Sequence, residues 1–148
     1  MVHAPQNLSL SDKKREDLLA LLKGAQAEHQ HISRDFLTDA ARSLDIPVND
    51  VFGVATFYAF LSVAPMGRHV IRVCRNLPCY LKNSTMIIES VKKEINIRPG
   101  ETTPDGRFSL ALASCIGACD MAPAMMVNHD VHGNLTPGRI SDILKSYT

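Results

Sequence analysis

The chain has 148 residues, with 16 Lys and Arg against 15 Asp and Glu, 45% hydrophobic and 21% charged. That length suggests one domain, or one with a helical appendage, able to bury a core without disulfide support, and the near-average composition excludes disordered and collagen-like classes. A net charge of +1 leaves no basic excess for gripping a phosphate backbone, so nucleic acid is not an expected partner.

The first third reads as helical. Ser11 is placed to cap a helix starting at Asp12, an acid at the positive end of the macrodipole, with Leu18, Leu19, Leu21 and Leu22 on its apolar side. The run KKRED at 13–17 mixes signs and reads as a solvated face. Ser33 is a cap for a second helix through Phe36, Leu37, Ala40, Ala41 and Leu44, and Pro47 marks its end. A third helix is expected from near Asn49 through Phe52, Thr56 and Ala59. Together they make a small bundle. Phe52, Phe57, Tyr58 and Phe60 cluster there, in the manner of a core or an interface rather than a cofactor box.

The turn chemistry of APMG at 64–67 is a boundary, dividing a helical bundle over residues 1–64 from a second region over 65–148. His69 to Val73 alternates like a strand. Met86, Ile87, Val91 and Ile95 give a helix within 81–95, and the Pro and Gly content of 98–107 marks a loop. Further strands are expected at 108–113, at 125–128 and around Val131, with Gly133 and Asn134 turning the chain and a helix over 140–147. The order strand, helix, three strands, helix predicts a small α/β sandwich, one helical layer on one sheet.

The most apolar run, Val51 to Pro65, falls short of the ~20 residues a membrane span needs. No cationic segment leads an apolar one at the N-terminus, so no secretory signal is read and a cytoplasmic location is expected, with membrane association only through a larger complex.

Four cysteines remain. Cys74 and Cys79 are spaced C-x4-C; 35 residues later Cys115 and Cys119 are spaced C-x3-C. Each pair follows an expected strand, so if the two strands are parallel neighbours both pairs converge on one spot. Three readings compete: a structural zinc, for which both spacings are loose; two disulfides, disfavoured by a reducing compartment; and an iron–sulfur cluster, whose width suits looser loops. Gly117 and Ala118 are small enough to let backbone N–H groups approach sulfur, although Gly117 reads equally as a plain turn glycine. No G-x-G-x-x-G, Walker loop or C-x-x-C is present, so no nucleotide site and no dithiol exchange are expected of this chain. The six histidines show no metal spacing; His129 and His132 read as turn residues, and Met121, Met125 and Met126 as core or interface filler.

The segments CRNLPCYLKNS at 74–84, SCIGACDMAPAMMVN at 114–128 and HGNLTPGRI at 132–140, with GVATFYAFL at 53–61, resemble the thioredoxin-like [2Fe–2S] ferredoxin family. The likeness is greatest to the small subunits of complex I, NAD-linked hydrogenases and formate dehydrogenases. It covers nearly the whole chain. The resemblance implies an α/β fold: an N-terminal helical bundle over 1–64 followed by a thioredoxin-like [2Fe–2S] domain over 65–148. It implies that Cys74 and Cys79 form one ligand pair and Cys115 and Cys119 the other. It also implies a flavoprotein partner that binds FMN and NAD(H), and further iron–sulfur subunits. Met121 stands where family members commonly carry a polar residue. The leading expectation is therefore an electron-transfer subunit, with the N-terminal aromatics as docking surface. The competitor is a zinc-stabilised interaction module. A free shuttle ferredoxin is disfavoured, because a charge of +1 lacks the negative field that steers such proteins.

Overall fold

The structure, a computed structural model, describes residues 12–147. The proposed Ser11 cap lies outside them. The chain divides into two compact units between Pro65 and Met66.

The first unit holds three helices, α1 (Asp12–His29), α2 (Arg34–Leu44) and α3 (Val48–Phe57). Leu18 and Leu22, four apart on α1, are fully buried in one core with Ile32, Val51 and Ala55, beside buried Leu37, Ala40 and Ala41, while Leu21 turns outward. The Phe36 N–H donates to Ser33 Oγ at 3.2 Å, so the expected cap forms. Asp45 closes α2 in a left-handed conformation, and the Ile46 N–H returns to the Ala41 carbonyl at 3.0 Å. Pro47 both ends this turn and opens α3, whose first N–H groups need no internal partner. The third helix stops at Phe57, short of the expected Ala59.

The second unit is a four-stranded sheet, β1 (His69–Cys74), β2 (Phe108–Ala113), β3 (Met125–Val127) and β4 (Asp130–His132), in the order β2-β1-β3-β4. β1 and β2 are parallel; β3 runs antiparallel to β1 and β4 to β3. The parallel pair needs a crossover, supplied by α4 (Leu77–Leu81) and α5 (Ser84–Ile95). α6 (Pro137–Lys145) lies against α5, with Pro137 pre-setting its first turn. Ile71, Val73, Leu110, Met125 and Val127 from the strands meet Ile87, Val91, Ile140 and Leu144 from α5 and α6 in one core. This is the expected sandwich with one unforeseen element, α4. Among the described residues no helix is long and apolar enough to cross a membrane.

Candidate metal centre

The parallel register sets the site. Cys74 pairs with Ala113, so both cysteine loops leave the sheet at the same level. The Arg75 N–H donates to the Ala113 carbonyl at 3.0 Å and the Cys74 N–H to the Ala124 carbonyl at 3.1 Å, which binds the first loop to its neighbours on both sides. Cys74 is the last residue of β1, one beyond the expected strand, and is 1% exposed. Cys79 sits in α4 and is equally buried. The two residues pack with Ala118, Ala122 and Ala124, and half-buried Ile116 packs against this cluster.

The second pair is on the surface. Cys115 is exposed in the loop after β2, and Cys119, also exposed, opens a single 3-10 turn, Cys119–Met121. Gly117 takes φ of +81°, a conformation L side chains rarely adopt, and this turns its N–H onto Cys115 Sγ at 3.4 Å. Behind the turn, Gly133 backs onto Met121: a Cβ there would lie 2.3 Å from the Met121 Cβ. The Asn134 N–H donates to the Met121 carbonyl at 2.6 Å, so the strand-to-helix connection supports the Cys119 turn from below.

Three of the four thiols are shifted from the ordinary cysteine value. Burial pushes the Cys79 thiol up, against a hydrogen bond to the Ala124 backbone, and proximity to Cys74 and Cys119 adds to the rise. Cys119 is raised chiefly by its contact with Cys115, then by Cys74 and Asp120. Cys115 is lowered, first by the Gly117 N–H, then by Cys119 and by the Asn76 side chain. Among the described residues no three His, Cys, Asp or Glu side chains gather closely enough to hold a single metal ion. Tetrahedral zinc needs four donors around one point. A [2Fe–2S] rhomb needs two thiolates at each of two irons, and two pairs of cysteines supply that number.

The remaining candidates go elsewhere. The Tyr147 hydroxyl donates to Asp130 Oδ2 at 2.9 Å and lies 2.8 Å from His132 Nε2, which makes His132 part of a polar link beneath α6. His129 is exposed. Met125 is fully buried in the core, and Met121 is 37% exposed. Sequence reasoning missed α4. An Asn directly before Leu-Pro was the available signal, since Asn favours such N-cap positions.

The family model of the thioredoxin-like [2Fe–2S] ferredoxins matches residues 5–148. The chain is 38% identical over 134 residues to an NADH-quinone oxidoreductase subunit of Rhizobium meliloti (strain 1021), covering 90% of this chain and 80% of that protein. It is 34% identical over 135 residues to NADP-reducing hydrogenase subunit HndA of Solidesulfovibrio fructosivorans, covering 91% and 79%. It is 41% identical over 126 residues to an NADH-quinone oxidoreductase subunit of Escherichia coli (strain K12), covering 85% and 76%. In fold it is similar to a chain of an NAD+-reducing [NiFe]-hydrogenase, with a TM-score of 0.71 at 21% identity over 86% of this chain and 22% of that one. The chain belongs to the thioredoxin-like [2Fe–2S] ferredoxin family, and its cofactor is a [2Fe–2S] cluster.

Proposed function

We propose that this chain is the [2Fe–2S] electron-transfer subunit of an NAD(P)H-linked oxidoreductase complex, docked on a flavoprotein subunit that binds FMN and NAD(H). Cys74 and Cys79 hold one iron, and Cys115 and Cys119 the other. When bound, the cluster supplies one-electron chemistry, and the chain's residues supply burial, orientation and hydrogen bonds. The Cys74 and Cys79 sulfurs are shielded by alanines, while the Cys115 and Cys119 edge faces outward to where electrons arrive and leave. The Gly117 N–H holds the exposed sulfur in place.

The observation that carries the reading is the apolar surface beside the site. Leu77, Tyr80 and Leu81 of α4, flanking buried Cys79, are 63%, 60% and 71% exposed. A free shuttle would not keep such a patch in water, whereas a resident subunit covers it. In the first unit Phe52, Phe57, Tyr58 and Phe60 are exposed as well, which supports residues 1–64 as a docking bundle and 65–148 as the cluster domain. The chain carries no nucleotide motif, so the hydride donor or acceptor must bind on a partner. The relatives' names support NADH dehydrogenase and hydrogenase complexes, with further iron–sulfur subunits expected; a formate dehydrogenase complex is a third setting of the same kind. The complex would keep the chain on the cytoplasmic side.

The test is the iron, sulfide and zinc content of anaerobically purified protein, with EPR after dithionite reduction and affinity capture of the flavoprotein. About two irons and two sulfides with an S = ½ signal are expected. About one zinc, with no iron even after iron–sulfur reconstitution, would replace this reading with the zinc-stabilised interaction module.

A further inference from the structure

We propose that Gly133 is a positioning residue for the cluster: by leaving room for Met121, it fixes the turn that presents Cys119. That role rests on the cluster assignment above and belongs to a residue that is not a ligand. Cys115 and Cys119 are exposed, so no enclosing core holds them as one holds Cys74 and Cys79. Their placement has to come from the backbone. Cys119 opens the 3-10 turn Cys119–Met121, which the Met121 N–H closes onto the Ala118 carbonyl at 3.2 Å. A single turn of this kind is a weak anchor by itself.

Backbone ties flank the segment that leaves the turn. On one side the Cys74 N–H donates to the Ala124 carbonyl at 3.1 Å. On the other, residues 133–135 run on past the end of β4 as a strap. The Asn134 N–H donates to the Met121 carbonyl at 2.6 Å, and the Leu135 N–H to the Pro123 carbonyl at 3.1 Å. Leu135 is buried in the same core as Ile140 and Leu144 of α6, so lifting the strap would open that core.

Gly133 sets how closely strap and turn approach. A Cβ on it would lie 2.3 Å from the Met121 Cβ, 2.9 Å from the Met121 carbonyl oxygen and 3.2 Å from the Met121 Cγ. The Cβ and the carbonyl oxygen move only with the backbone, so no rotamer of Met121 relieves the overlap. A side chain at 133 therefore displaces backbone. The strap is pinned by Leu135; the exposed turn yields, and Cys119 moves with it.

The experiment uses the full-length holoprotein, with Gly133→Ala beside Gly67→Ala. Gly67 is cramped too: a Cβ there would lie 2.9 Å from the Phe108 carbonyl carbon and 3.0 Å from the Gly106 carbonyl oxygen. It precedes β1, at the end of the strand away from Cys74. Gly133→Ala should release iron to a chelator roughly tenfold faster than wild type, the scale on which a forced overlap acts. Its EPR g-values after dithionite reduction should move, and hydrogen exchange in peptides covering Asn134 should quicken. Gly67→Ala should keep the g-values and release rate of wild type. A double-mutant cycle with Met121→Gly tests the route. With the Met121 Cβ and Cγ gone, the same alanine at 133 should speed release by less than about threefold. Loaded Gly133→Ala with unchanged g-values and release would overturn the role of Gly133. So would equal changes in Gly67→Ala, or an undiminished effect in the Met121→Gly background. If Gly133→Ala does not fold, the double variant decides: recovery of iron and of the wild-type signal supports the role, and failure to recover them overturns it. Wild type without iron and sulfide would overturn the cluster assignment itself.

Discussion

Cys79 and Cys115 carry the same side chain in opposite surroundings, 1% exposed among alanines against exposed in a loop. A ligand substitution should therefore separate cluster loss from fold loss. Cys115→Ser places a hydroxyl in water, and its apoprotein should unfold in urea within about 0.5 kcal/mol of the wild-type apoprotein. Its iron content and EPR signal should nevertheless collapse. Cys79→Ser buries a hydroxyl in an apolar pocket, and the cluster-free protein should lose about 1–3 kcal/mol besides. Equal urea midpoints for the two variants would contradict the burial difference. The spacing of the four cysteines, and their position after two strands, was legible in the chain because those strands are clean six-residue runs. The inequality of the pairs was not. It depends on Ala118, Ala122 and Ala124 closing over the first two sulfurs, and alanine carries no periodic signal that says which side it packs on.

Among the elements, those with a full apolar repeat are legible in the chain to within a few residues, and α4 is not. Leu77–Leu81 has five residues, too few for a helical period, and its large apolar side chains face outward rather than into a core. The last helix starts at Pro137 rather than Ile140, because proline is compatible with the first turn and the apolar pattern begins only one turn later. Two residues beyond that helix, Tyr147 joins Asp130 and His132 of β4, packs its ring against His69, and accepts Arg107 Nε at its carbonyl at 3.1 Å. Burial, helped by Asp130, pushes the Tyr147 hydroxyl up to about 12 from 10.0. A raised folded value means stability that is complete below pH 10 and lost as the pH climbs toward 12. Burial lowers His132, with Arg139 acting in the same direction against Asp130. It also lowers His69, helped by Arg68 and Arg107. Their contribution is present above the ordinary histidine value of 6.5 and declines as the pH falls below it. Tyr147→Phe should cost about 1–2 kcal/mol near pH 8, through two lost hydrogen bonds, and should flatten the alkaline limb while leaving the acid limb in place. Thermal unfolding scanned from pH 5 to 12 measures both limbs. An unchanged alkaline limb would remove Tyr147 as its source.

For the protein as a subunit, the decisive property is how its exposed apolar side chains are distributed. Two stretches of chain hold most of them: Phe52, Phe57, Tyr58 and Phe60 in the helical unit, and Leu77, Tyr80 and Leu81 in the cluster unit. The sequence displayed the first group as an aromatic cluster but left core and interface open. Only the fold separates those roles, because Val51 and Ala55 of the same helix take the buried positions. The second group flanks Cys79, a proposed ligand, so under that proposal it bears on electron exchange as well as on affinity. The side chains of Leu77 and Leu81 are largely in water already, and Leu77→Ser with Leu81→Ser should change the unfolding midpoint little. Iron content and midpoint potential should also stay near wild type, because neither residue is a ligand or a donor to sulfur. Affinity for the flavoprotein should fall at least tenfold, since apolar groups that leave water on docking each contribute about 1–3 kcal/mol when fully covered. Reduction of the cluster by NADH through the flavoprotein should slow in proportion, while reduction by dithionite, which needs no docking, should proceed as before. Phe57→Ser in the helical unit should weaken capture of the flavoprotein without slowing reduction once the complex is saturated. If the α4 variant weakened neither binding nor NADH-driven reduction, the apolar surface beside the cysteines would have another occupant, and the entry point for electrons would have to be sought elsewhere on the chain.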